Sequence, residues 1–222
     1  TPVMTKDFRW KTGVNFATNK NEAIKLVDEL DRFMFNGGES NNVWSYLEVG
    51  GSFGDIYGTT FVRDDNGKIQ YEKKEVEIDG TKETMTIPMV NKDPVKLGNS
   101  SPDFNLGWMT TPITWKDFSL YFLIDGRFGG DVMSLTEADL DQQGVSKISG
   151  DARDRGYIML EGTRIDGGKN NRNIQEFYNV VGGRAGVTEH YMYDATNIRL
   201  RELSLSYSLP QALLAKTGFI KG

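Results

Sequence analysis

The stretch Asp194-Ala-Thr-Asn-Ile-Arg-Leu-Arg-Glu-Leu-Ser-Leu-Ser-Tyr-Ser-Leu-Pro210 decides how the rest of the chain is read. In its second half Leu203, Leu205, Tyr207 and Leu209 alternate with Glu202, Ser204, Ser206 and Ser208. A period of two sends these sets to opposite faces of a β-strand. Pro210 ends it, because proline lacks the N–H that a continuing ladder needs. Ile198 and Leu200 are out of step with Leu203 and Leu205, which predicts a bulge or a change of environment near Glu202. Two settings suit such a strand: a half-buried soluble sheet, or a membrane barrel with lipid on one face and water on the other.

Composition narrows the classes. The chain has 222 residues, enough for one large or two small domains. The mean hydropathy of -0.47 leaves no segment that reads as a membrane-spanning helix. Barrel strands escape that test, since they are only about 10 residues long and alternate. Twenty-five glycines against 6 prolines, with 12 Phe, 9 Tyr and 4 Trp, suggest turns, bulges and aromatic strands. A net charge of -5 gives no basic footprint and argues against nucleic acid. Without cysteine there are no disulfides or thiolate metal sites, and one histidine, His190, cannot supply a histidine metal pair or a serine-type triad. Thr1-Pro-Val-Met-Thr5 shows neither a start methionine nor a signal-peptide pattern, so a piece of something longer or a processed product is expected.

Elsewhere the chain repeats the strand theme. Phe8, Trp10, Val14 and Phe16 alternate with Arg9, Lys11, Gly13 and Asn15, and Thr18–Asn21 supplies turn chemistry. Residues 22–35 are read as extended after that turn, and 36–42 as a loop. From Trp44 to Phe53 the alternation resumes, with Leu47, Val49, Gly51 and Phe53 on one side. Asp64-Asp-Asn-Gly67 predicts a hairpin turn, Lys73–Met89 an exposed charged ribbon turning at Asp79-Gly80, and 91–102 irregular structure. Phe104, Leu106 and Trp108 form one apolar row, and Phe118, Leu120, Phe122 and Ile124 another after the turn Thr114–Asp117. Trp115 at that turn suits a membrane–water boundary or plain packing. Residues 131–197 lack sustained strand periodicity apart from a helix near Ser134–Gln143, where Ser134 and Glu137 have capping-box spacing. Short connections at one strand end and very long ones at the other match the loop asymmetry of outer-membrane barrels.

Few residues nominate chemistry. Asp139-Leu-Asp-Gln-Gln-Gly144 starts like a calcium loop, but its twelfth position is Gly150 rather than glutamate, so a solvated helix end is expected. Asp151-Ala-Arg-Asp-Arg155 offers polar solute recognition through Asp151, Arg153 and Arg155, or a loop stapled by its own ion pairs. Asp166-Gly-Gly-Lys-Asn-Asn-Arg172 is read as an ordinary turn, since it lacks the strand-then-helix setting of a phosphate loop. Tyr191 and Tyr193 could stack on a sugar or peptide, or pack within the loop. No nucleophile, metal or cofactor site is nominated, and no enzyme activity is expected.

Several stretches resemble the SusC/RagA family of TonB-dependent outer-membrane transporters: Phe8–Asn21, Val49–Gly58 with Arg63–Lys68, Ser101–Gly107, Trp115–Phe118, Gly126–Gly130, Gly150–Arg153 and, most specifically, Tyr193–Pro210. They cover most of the chain in the family's order. The resemblance implies an all-β fold, residues 1–222 forming late strands of a large antiparallel transmembrane β-barrel with long extracellular loops. The plug, TonB box, early strands and the terminal strand region expected after Phe219 are absent, so a proteolytic fragment or one chain of a split assembly is expected. The implied function is import of oligosaccharides or peptides into the periplasm. The implied partners are the rest of the barrel and its plug, a SusD-like lipoprotein lid, TonB, and outer-membrane lipid. On this reading Phe104, Leu106, Trp108, Phe118, Leu120, Phe122, Leu203, Leu205 and Tyr207 face lipid, and loop 131–197 meets lid or solute. A soluble β-sandwich that binds glycans is the alternative, and a secreted β-rich hydrolase the weakest reading.

Overall fold

The computed structural model describes residues 2–36, 43–78 and 80–210. Two compact units emerge: a strand unit from 1–20, 101–130 and 195–222, and an insert unit from 21–100 and 131–194.

The strand unit is an antiparallel sheet. Phe118–Phe128 is central, pairing along its whole length with Asn197–Tyr207 on one side. On the other side it meets Phe104–Thr110 and then Ile113–Trp115, which in turn pair with Thr12–Ala17 and Phe8–Trp10. Val3–Met4 adds a short edge to Phe8–Trp10. The break between Thr110 and Ile113 falls at Pro112, which cannot donate to the ladder. The Thr110 hydroxyl accepts the Phe122 N–H there, at 3.3 Å. The tight turn after Trp115 places Lys116 at φ 53°, with its ammonium 5.5 Å from the centre of the Trp115 ring.

The expected irregularity near Glu202 is a bulge. Leu123 pairs with Glu202, but Ile124 pairs with Leu200, leaving Arg201 unopposed. The extra residue corrects the phase, so Ile198 and Leu200 share the face of Leu203, Leu205 and Tyr207. No change of environment is needed to explain the sequence. Both long excursions leave from one end of the sheet, between Ala17 and Phe104 and between Phe128 and Asn197, while the described turns at the opposite end, at residues 5–7 and at Lys116-Asp117, are short.

The insert unit overturns several expectations. Residues 22–31 form no strand, and only Arg32–Asn36 is extended, paired with Val43–Glu48. The latter stops at Glu48, before left-handed Gly50, so alternation does not continue to Phe53. The Asp64 carboxylate accepts from the N–H groups of Asn66 and Lys68, forming the expected turn. The ribbon Tyr71–Ile78 with Thr81–Pro88 is present, but Met85 and Ile87 are buried, so one face is core rather than exposed. Val90–Asn99 is a strand against Asp55–Phe61, not irregular chain. Residues 37–42, Asp79 and everything from 211 through Phe219 to the end lie outside the described residues.

Between 131 and 194 the chain folds densely. The predicted helix is present as α1 (Leu135–Gln142), with the Ser134 hydroxyl accepting the Glu137 N–H at 3.4 Å. Two unforeseen helices follow, α2 (Lys147–Arg155) and α3 (Arg172–Val181). In α3 the buried residues Ile174, Phe177, Tyr178 and Val181 recur at i, i+3, i+4 and i+7, the spacing of one helical face. They join Phe61, Ile158, Leu160, Ile165, Val187 and Tyr191 in one core. The two sequence segments are clasped through Thr59 and Thr188: the Thr188 N–H donates to the Thr59 hydroxyl at 3.0 Å, and that hydroxyl donates to the Gly186 carbonyl at 2.9 Å. Gly58 permits the approach, since a Cβ there would lie 2.5 Å from the Thr188 side chain.

Candidate functional site

The register of the strand unit sorts its side chains into two chemical surfaces. Leu205 pairs with Leu120 and Leu120 with Ile113; Leu203 pairs with Phe122; Ile124 lies between Leu200 and Trp108. Leu106 and Trp108 continue the row to Phe16 and Val14. Partners directly opposite one another share a face, so these residues form one apolar surface four strand-widths across. Aromatic contacts knit it, with Phe104 stacked between Phe16 and Phe128 and Trp108 edge-on to Phe122. The Trp108 indole N–H donates to the Thr12 hydroxyl at 2.6 Å. Yet the surface is largely uncovered: Leu203 is 64% exposed and Leu205 is 73% exposed. A soluble sandwich would bury such a row in its core.

The opposite face carries Asn105, Ser119, Tyr121, Asp125, Arg127, Glu202, Ser204 and Ser206. Bulged Arg201 holds Asp125 with a two-pronged pair at 2.6 and 3.0 Å. This is a polar, charged surface suited to a water-filled lumen.

The proposed solute residues do not form one cluster. Asp151, Arg153 and Arg155 lie on α2 rather than in irregular loop. Asp151 pairs with Lys147, Arg153 donates to the Gly144 carbonyl at 2.6 Å, and Arg155 sits 5.5 Å over the Tyr157 ring. Much of this run therefore staples the unit to itself. Tyr191 is buried, and its hydroxyl donates to Asp141 at 3.1 Å, so it cannot stack on a solute. Burial, reinforced by Asp141, pushes its pKa upward. Tyr193 is 44% exposed on a short strand, with its pKa pushed to about 12 by burial and by Glu137. Asp141 also accepts from Ser146, so the residues that begin like a calcium loop serve helix packing.

Two features were missed by sequence reasoning. One is a cavity of about 200 Å³ walled by Asp141, Gln142, Gln143, Gly144, Arg153, Asn170, Asn171, Ile174, Gln175 and Tyr178. Of the solute-contact candidates only Arg153 reaches it, while the runs weighed as a calcium loop and a phosphate-type loop supply Asp141–Gly144 and Asn170–Asn171. Asn170 and Asn171 are left-handed, at φ 54° and 57°, a conformation that asparagine tolerates better than most residues. The Gly-Gly-Lys-Asn-Asn run was the available signal for this bend. The other feature is Arg63, which bridges Glu161 at 2.6 Å and Glu189 at 2.5 Å. The Glu161 pKa is lowered chiefly by its hydrogen bond to Arg63.

Comparison with known proteins agrees with this architecture. No family model matches the chain. It is 25% identical to "TonB-dependent receptor P3" of Formosa agariphila over 236 residues, covering 97% of the chain and 21% of that protein. Against "TonB-dependent receptor P39" of the same organism it is 23% identical, covering 99% and 24%. Among solved structures, the RagAB peptide importer in its open-open state matches 99% of the chain and 22% of its own, with a TM-score of 0.52 at 16% identity. The chain thus spans between a fifth and a quarter of the length of the curated relatives it matches. In sequence the chain is thus similar to TonB-dependent receptors, and in fold its two-faced antiparallel sheet is similar to part of the RagAB importer.

Proposed function

We propose that this chain is part of a transporter that moves oligosaccharides or peptides across the outer membrane into the periplasm, with energy delivered through TonB and a SusD-like lipoprotein as lid. The observation that carries the reading is the register. It gathers apolar residues from every major strand onto one exposed face and polar residues onto the other. Lipid would cover Phe104, Leu106, Trp108, Phe118, Leu120, Phe122, Leu203, Leu205 and Tyr207, and the lumen would wet Asp125, Ser204 and Ser206. Residues 131–197 would meet lid or solute, with Asp151, Arg153, Arg155 and Tyr193 as solute contacts. Tyr191 drops out of that set because it is buried.

Uptake tests this reading. Cells lacking the gene should fail to accumulate labelled solute from an oligosaccharide or peptide panel that the parent strain imports, and loss of TonB should give the same defect. Import that persists undiminished in both strains contradicts the proposal.

A further inference from the structure

The cavity beside α1, α2 and α3 has unused hydrogen-bonding capacity. Tyr178 is 5% exposed and lines it, yet the Tyr178 hydroxyl makes no hydrogen bond among the described residues. The hydroxyl is not sealed among protein atoms but opens into the cavity, where a bound group can reach it. The side-chain amides of Gln142, Gln143 and Asn170 line the same cavity and likewise make no hydrogen bond there. Each amide can donate and accept. Arg153 spends one N–H on the Gly144 carbonyl and retains others. Asp141 is the cavity's carboxylate, and its two oxygens are engaged by Ser146 and Tyr191.

We propose that this cavity binds one uncharged sugar residue of a solute, its ring hydroxyls exchanging hydrogen bonds with Tyr178, Gln142, Gln143 and Asn170. This rests on the import reading and narrows its solute class. The lining favours a polyhydroxylated ring over the other candidates. Arg153 and Asp141 balance, so neither an anion nor a cation is selected by charge. At about 200 Å³ the space is below the usual range of about 300–1,000 Å³ for ligand pockets, fitting one compact ring rather than an extended peptide. A peptide strand would also call for a free sheet edge, and this cavity is walled by helices and the 170–171 bend.

The test uses the whole receptor, purified in detergent, titrated with neutral gluco-, galacto-, manno- and xylo-configured oligosaccharides and, separately, with a tryptic casein digest. Tyr178→Phe removes one hydroxyl, Gln143→Ala an exposed amide, and Asn170→Gly an amide at a left-handed position that glycine accepts freely. Each variant should bind the preferred oligosaccharide about 5- to 10-fold more weakly, the loss of one hydrogen bond. Their melting temperatures should match wild type, because these groups have no protein partner to lose. Wild type failing to bind any of the oligosaccharides overturns the proposal. So does sugar binding unchanged in all three variants, or selective loss of peptide binding. These results leave the import reading intact, since that fails only when uptake survives loss of the gene.

Discussion

Leu203 and Ser204 are neighbours in sequence but project to opposite faces of the sheet, and arginine at each position should have opposite consequences. The strand Asn197–Tyr207 has 11 residues. At about 3.4 Å per residue and a tilt of about 40°, it spans about 28 Å, close to the apolar band of about 25 Å on an outer-membrane barrel. Leu203 sits next to the strand's midpoint, opposite Phe122, and is 64% exposed. Arginine near the lipid midplane costs about 2–4 kcal/mol, a change of about 30- to 700-fold in the folding equilibrium. Ser204 shares the face of Tyr121 and Glu202, where water would solvate the guanidinium, so Ser204→Arg should be nearly neutral. The assay is urea unfolding of the intact receptor in lipid vesicles, followed by tryptophan fluorescence. Equal tolerance of both substitutions, or a larger loss for Ser204→Arg, would refute the assignment of faces.

Three further outcomes concern the insert unit. Arg63→Ala should leave Glu161 and Glu189 without their shared cation and loosen the clasp between its two segments. The cost should be about 1–2 kcal/mol after discounting for partial exposure, read as faster tryptic cleavage after Lys68. Gly58→Ala would force a Cβ to within 2.5 Å of Thr188 and should destabilise the unit by about 1–3 kcal/mol, visible as faster hydrogen exchange at Thr59. His190 is packed among Phe61, Phe177 and Tyr191, and burial lowers its pKa below 6.5 despite opposition from Asp141, Glu137, Glu189 and Glu161. The unfolded chain therefore takes up the proton first. The His190 contribution is complete above about pH 6.5 and declines as pH falls towards the lowered native value. His190→Phe should flatten the slope of unit stability below about pH 6.5, measured by hydrogen exchange; an unchanged slope would assign it to the carboxylates.

The strand unit was legible because its environment changes sharply from one face to the other. Alternation in Phe104–Trp108, Phe118–Ile124 and Leu203–Leu209 records a surface with different demands on each side. The bulge at Arg201 was visible as a slip in that alternation, although only the pairing shows that it restores the phase. The insert unit was far less legible. Its strand Val90–Asn99 includes Pro94 and pairs with shifted register, so no period of two survives. Helix α3 follows two left-handed asparagines that make no side-chain cap, and its Ile174–Val181 spacing was hidden inside a segment read for strands. The burial of Tyr191 depends on Asp141, fifty residues away, a contact that local pattern does not reveal. The cavity amides come from α1, its C-terminal turn and the 170–171 bend, and become neighbours only after the helices pack.

The central claim is that the two faces of Asn197–Tyr207 meet lipid and water respectively, and single cysteines test it most directly. The described chain has no cysteine of its own, so labels report only the introduced sites. In a cysteine-free background of the intact receptor in cells, Ser204→Cys and Ser206→Cys should react with a charged, water-soluble thiol reagent. Leu203→Cys and Leu205→Cys should resist it, and a fluorophore attached there should be quenched by a lipid-soluble quencher. Uniform reactivity along the strand, or the reverse alternation, would contradict the account.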